Sequence, residues 1–316
     1  MYNLSCTDFL SLTKLEFWRF CNSIDTVLTS CEGVLWKNEK EIKGSSATLN
    51  RLREIGKQIF FITNNSMTTR DEFVKRAQNF GFILHKNEVI STSYLAAYYL
   101  KSKNFSDTAY AIGSRGLAKE LEAVGIKYIG PGPDPSGQDL QKLCDDAYLD
   151  PNVRAVVVGL DEHFSFMKLL KAASYLKNPE CEFIAVNCEK RKSGSGPIIV
   201  PGAGAILTSI ETCSGRKATI LGKSGTFVAD YLRKQYYVDS QRTLFIGNRL
   251  ENDIPLGLNC GFQTLLILSE MTQKEMCKRK WLKCKKQEIE DQILPNLFTG
   301  ALEDLLPYLT LTEYKI

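Results

Sequence analysis

Histidine is nearly absent, with two in 316 residues, and none of the ten cysteines stands in a C-x-x-C pair. A structural zinc site of ordinary spacing is therefore not expected. No stretch of 18 uncharged apolar residues occurs, which leaves no candidate for a membrane-spanning helix. Asp8, Lys14, Glu16, Arg19 and Asp25 break up the first thirty residues, so a secretory signal is not expected either. These absences point to a cytoplasmic chain with reduced thiols. Neither sign of charge dominates: 40 Lys and Arg face 36 Asp and Glu, a net charge of +4. That balance is too even for a nucleic-acid binder. The one basic run, Cys277–Lys286, reads as a solvated surface segment. What is present is ordinary globular composition, 44% hydrophobic and 24% charged, in a chain long enough for two domains and a large core.

Strand and helix signals alternate along the chain. Asp25–Cys31 and Gln58–Thr63 are short runs rich in β-branched and aromatic residues. Between them, Ser45 and Ser46 offer helix caps ahead of Leu49, Leu52 and Ile55, with Gly56 as the stop. Thr69-x-x-Glu72 is a capping box followed by Phe73, Ala77 and Phe80 at helical spacing. Further strands are expected at Tyr110–Ile112, Ala155–Val158, Phe183–Val186, Ala218–Leu221, Thr243–Ile246 and Thr264–Leu268, and helices at Leu117–Val124 and Phe166–Leu176. Around the start of that last helix, core packing is expected of Phe164, Phe166 and Met167. This order predicts an α/β fold, a doubly wound parallel sheet. We expect residues 1–103 and 201–316 to form the core domain and residues 104–200 an inserted α/β domain.

Two familiar phosphate-binding signatures fail. Gly222-Lys223-Ser224 lacks the earlier glycine of a P-loop, since position 217 is Lys. Gly202-x-Gly204 lacks the third glycine of a dinucleotide fingerprint, since position 207 is Leu.

Four separated segments make sense only together: Leu28-Thr-Ser-Cys-Glu-Gly-Val-Leu-Trp36, Phe61-Ile-Thr-Asn-Asn-Ser66, Leu221-Gly-Lys-Ser-Gly225 and Ile246-Gly-Asn-Arg-Leu-Glu-Asn-Asp253. In order and spacing they resemble the four motifs of the haloacid dehalogenase superfamily, in its phosphoglycolate phosphatase and pyridoxal phosphatase branch. That branch carries Asp-x-Asp-Gly-Val-Leu-Trp, Thr-Asn-Asn, Gly-Lys-Pro and Gly-Asp-Arg-x-x-Thr-Asp. The resemblance implies a Rossmann-like core with an inserted cap and Mg²⁺-dependent hydrolysis of phosphomonoesters. An aspartate nucleophile forms an aspartyl-phosphate, and a second aspartate acts as acid and base. It further implies a phosphorylated small molecule as ligand and pairing of two chains, alike or different, through the cap, with the surface around His163–Lys168 as the candidate face.

Carried over by position, the resemblance places Ser30 where the nucleophile stands and Glu32 where the acid/base stands. The phosphate cradle is kept as Thr63, Asn64 and Lys223. The metal-ligating carboxylate is replaced by Asn248, while the outer carboxylate is kept as Asp253. A serine hydroxyl needs a base to become a nucleophile, and Mg²⁺ prefers charged oxygens. Residues i and i+2 of a strand share a face, which places Glu32 within approach of Ser30. The expectation is a pseudophosphatase with a weak or empty Mg²⁺ site. The alternative is an unusual or residual phosphomonoesterase working through Ser30 with Glu32 as base. The substitutions leave the site with one net negative charge, the same as a metal-loaded relative, which suggests phosphate binding without Mg²⁺.

Overall fold

The computed structural model describes residues 6–134, 139–192, 197–223, 225–268 and 294–309. Ser224 and the basic run Cys277–Lys286 lie outside the described residues. The rest falls into two compact units. Residues up to Thr63, Phe73–Ile90 and those from Ala229 on form the first, and Asn64–Glu72 with Ser91–Val228 form the second.

The first unit is built on a seven-stranded sheet. Its order is Thr7–Asp8, Leu297–Thr299, Gln263–Ile267, Thr243–Gly247, Thr26–Ser30, Gln58–Thr63 and Val89–Ser91. The first six strands pair in parallel. Parallel strands covered on both faces need apolar residues on both faces, which is why the central strands read as unbroken runs rather than alternations. Leu28, Phe60, Ile62, Phe245, Ile246 and Leu265 are all fully buried. Helices Lys14–Ser23, Ser45–Glu54 and Arg70–Asn79 belong to these connections. Thr13 opens the first through a reciprocal capping box with Glu16. Thr69 and Glu72 form the same device, as expected from their spacing. The helix at Ser45 departs from expectation: Gly44, in the left-handed region at φ 75°, is its N-cap. The Ser45 hydroxyl instead donates to Leu35 O and Ile42 O, tying the helix to the loop before it.

The second unit has five parallel strands, in the order Thr219–Ile220, Glu182–Ala185, Val153–Val158, Thr108–Ile112 and Lys127–Ile129. Helices Arg115–Ala123, Phe166–Tyr175 and Ala203–Ser214 accompany it. On Phe166–Tyr175 the sequence expectation needs correction. Phe166 is 53% exposed, whereas Met167 and Lys168 are buried. Lys168 is accommodated because its ammonium is bonded to the equally buried Asp161.

Among the described residues no helix is long and apolar enough to cross a membrane. The eight described cysteines are all free, and burial pushes the thiols of Cys21 and Cys260 up to about 12.

One surface residue is strained. Tyr237, just past the helix Phe227–Tyr236, sits at φ 55° and is 90% exposed. A Cβ in that region costs energy that glycine avoids. Tyr237→Gly is therefore expected to stabilise the protein by about 0.5–1 kcal/mol in thermal or urea unfolding.

Candidate active site

In an open parallel sheet, functional groups collect beyond the carboxyl ends of the strands. In the first unit this edge carries most of the residues singled out by sequence. Ser30 ends the central strand and is 3% exposed. Thr63 ends the next strand, which pairs Ile62 with Ser30. Asn248 follows the strand Thr243–Gly247, whose Ile246 pairs with Thr29. The loop after Ser30 is fastened at once: the Cys31 thiol donates to Ile62 O at 3.3 Å, and Leu35 N–H donates to Cys31 O at 2.8 Å. A short antiparallel hairpin, Trp36–Lys37 with Lys40–Glu41, completes it. Trp36 anchors that hairpin by packing against Phe73, Phe80 and Phe82.

Asp253 organises the Asn248 loop. It is fully buried, and its Oδ2 accepts the N–H groups of Asn248 at 2.9 Å and Arg249 at 3.2 Å. Gly247 is required here because a Cβ would lie 2.3 Å from the Cβ of Asp253. Asn248 in turn packs over Gly33: a Cβ on Gly33 would fall 2.2 Å from Asn248 Nδ2. The Asn248 Oδ1 is buried and has no hydrogen-bond partner among the described residues.

Glu32 does not share a strand face with Ser30, because the strand ends at Ser30. Its side chain is exposed, and Oε1 accepts the N–H of Asn38 at 3.0 Å across the hairpin.

Asn64 and Lys223 belong to the second unit and stand at one strand end there. Leu221 N–H donates to Ala185 O, and Gly222 packs so closely that a Cβ would be 2.4 Å from Val186 O. That places Lys223, 7% exposed, beyond the strand Glu182–Ala185. Asn187, just past the same strand, reaches Asn64 O with its Nδ2 at 3.5 Å. Asn64 Nδ2 donates to Glu189 Oε1 at 3.0 Å, while Asn64 Oδ1 is buried without a partner among the described residues. Asn187 and Glu189 were not picked out from sequence. Their signal was position alone, as polar residues directly after a buried parallel strand.

Fold and motif placement define a haloacid dehalogenase-like hydrolase, and the chain belongs to that family. The haloacid dehalogenase-like hydrolase family model matches residues 27–127, and a second model of the same group matches residues 220–297. The chain is 36% identical over 298 residues to glycerol-3-phosphate phosphatase of Rattus norvegicus, covering 90% of this chain and 91% of that protein. It is 33% identical to the chloroplastic phosphoglycolate phosphatase 1A of Arabidopsis thaliana, covering 90% and 77%. The fold is shared with the 4-nitrophenylphosphatase of Thermotoga maritima, at a TM-score of 0.73, 23% identity and coverage of 91% and 98%.

Proposed function

We propose that this chain is a phosphatase-like protein that binds a small phosphomonoester but does not hydrolyse it with Mg²⁺. The observation that carries this is the pairing of Ser30 and Asn248, an alcohol and a neutral amide, on the edge where the motifs of relatives carry carboxylates. A dication in octahedral oxygen coordination needs anionic donors to offset its dehydration. Here Ser30 and Asn248 are neutral, and the Asp253 Oδ2 is already engaged with two backbone N–H groups. Among the described residues no three His, Cys, Asp or Glu side chains form a metal-holding group. This donor set does not fit Mg²⁺. The alternative, hydrolysis through Ser30, needs a base beside that hydroxyl, and the Glu32 carboxylate is instead bonded to the Asn38 N–H.

The test compares wild type with Ser30→Ala, using p-nitrophenyl phosphate and Mg²⁺. Both are expected at the buffer rate. Turnover in wild type that disappears in Ser30→Ala establishes the hydrolase reading instead. Calorimetry with glycerol 3-phosphate is expected to give the same affinity in Mg²⁺ and in EDTA. Binding that requires Mg²⁺ contradicts the metal-free site.

A further inference from the structure

The opposite ends of the same strands carry a second feature. An open groove of about 200 Å³ is lined by residues of helices Lys14–Ser23 and Ser45–Glu54 and of the short helix Leu306–Leu309. Its wall residues Cys21 and Asn22 precede the strand Thr26–Ser30, and Ile55 and Lys57 precede Gln58–Thr63. The groove therefore lies at the amino ends of strands whose carboxyl ends hold Ser30 and Thr63. At about 3.3 Å per residue, the central strand alone separates the two places by about 13 Å.

The chemistry of the groove is one-sided. Trp18 and Ile55 line it with 39% and 38% of their surface exposed, and Tyr308 adds an aromatic wall. A smaller apolar void of about 20 Å³ adjoins it and shares Phe17 and Leu309. Three cations, Lys14, Arg51 and Lys57, line the groove, and among the described residues no Asp or Glu does. Lys57 and Arg51 both keep donors to spare. Lys57 Nζ donates to Cys21 O at 2.8 Å and Ile24 O at 2.7 Å, which uses two of its three N–H bonds. Arg51 donates through Nε to Leu309 O and through Nη1 to Glu54. Asp25, just before the strand Thr26–Ser30, attracts Lys57 electrostatically, but its carboxylate is hydrogen-bonded to Arg242. Partial burial holds the Lys57 pKa below the ordinary lysine value. A half-buried ammonium that, among the described residues, is hydrogen-bonded to carbonyls and to no carboxylate favours an incoming anion.

We propose that this groove binds a small aromatic monoanion, its ring against Trp18 and Ile55 and its charge facing Lys14, Arg51 and Lys57. Charge complementarity selects the anion, and the exposed aromatic and aliphatic walls select a ring over a bare inorganic ion. At about 200 Å³ the groove is smaller than the roughly 300–1,000 Å³ pockets that hold drug-sized ligands, so it suits one or two fused rings.

Calorimetry or ligand-observed NMR with 1-naphthoate tests this on the full chain. A Kd on the order of 1 mM is expected for a ligand of this size. The neutral isostere 1-naphthalenemethanol should bind at least about tenfold more weakly, as should 1-naphthoate to Lys14→Glu and to Trp18→Ala. Lys14 is exposed, so Lys14→Glu is expected to keep the wild-type melting temperature, and Trp18→Ala, which trims a part-buried ring, is checked for a retained fold by its circular dichroism. Equal binding of the acid and the alcohol, unchanged affinity in both variants, or no binding at about 10 mM overturns the proposal. Inorganic phosphate that competes with 1-naphthoate with equal affinity also overturns it, by showing an anion site without ring recognition.

Discussion

Ser30→Asp, Glu32→Asp and Asn248→Asp combined are expected to give Mg²⁺-dependent hydrolysis of p-nitrophenyl phosphate on the order of 10³-fold or more above wild type. On the proposed reading, each change restores the group that the resemblance places at that position. An Asp carboxylate at position 30 is ionised near neutral pH without help from a base, unlike the hydroxyl it replaces. Asn248→Asp is nearly isosteric, so the packing over Gly33 survives while the unpartnered Oδ1 becomes a charged oxygen. Glu32→Asp shortens the side chain by one methylene, and about 1 Å of placement can change rate by roughly 100-fold. The new carboxylates stand on the edge that already holds buried Asp253, so like charges should lower stability when no cation is bound. Added Mg²⁺ should restore the melting temperature of the triple variant while leaving wild type unchanged. A folded triple variant with no response to Mg²⁺ in either measurement shows that the loop backbone no longer holds the geometry of its relatives.

The largest loss of stability is expected in the second unit, at Lys168. Both this ammonium and the Asp161 carboxylate are shut off from solvent, with side-chain exposures of 0% and 1%. Removing one member of such a pair leaves an uncompensated buried charge, which costs about 3–5 kcal/mol. Lys168→Met should therefore cost about 3–5 kcal/mol in urea unfolding. Asp161 also accepts the His163 N–H, so the deletion strands a carboxylate already fixed in place. Adding Asp161→Asn to Lys168→Met should recover part of that loss, because the stranded charge disappears. A single variant within about 0.5 kcal/mol of wild type contradicts the buried pair.

Lys168 also marks the limit of what the sequence discloses. The parallel sheet was legible because its central strands are continuous apolar runs: Gln58–Thr63 falls as expected, and Thr243–Gly247 extends its expected span by one residue. Hydrophobic periodicity put Phe166 inside and gave no reason to bury the lysine two positions later. The ion pair with a residue seven positions away reverses that order, and no local pattern encodes it. Ser45 shows a similar limit. A serine before a helix suggests a cap, but its hydroxyl was wanted by Leu35 O, a long-range partner. The edge strands Thr7–Asp8 and Val89–Ser91 are too short to carry a period at all. At the site, the identities of Ser30, Asn248 and Asp253 were legible from motif spacing. The side-chain bond from Asn64 to Glu189 was not, because it joins residues 125 positions apart.

The first unit gathers its sheet from both halves of the chain. Arg242 clasps Asp25 beside the paired strands Thr26–Ser30 and Thr243–Gly247, and the two residues stand 217 positions apart. On a ribosome, the central strand emerges early with one flank satisfied by Gln58–Thr63. Its other flank stays bare while the whole of Ser91–Val228 is made. At about 5–20 residues per second, that nascent edge waits roughly 10–40 s for its neighbour, and during that interval it is open to adhesion by other chains.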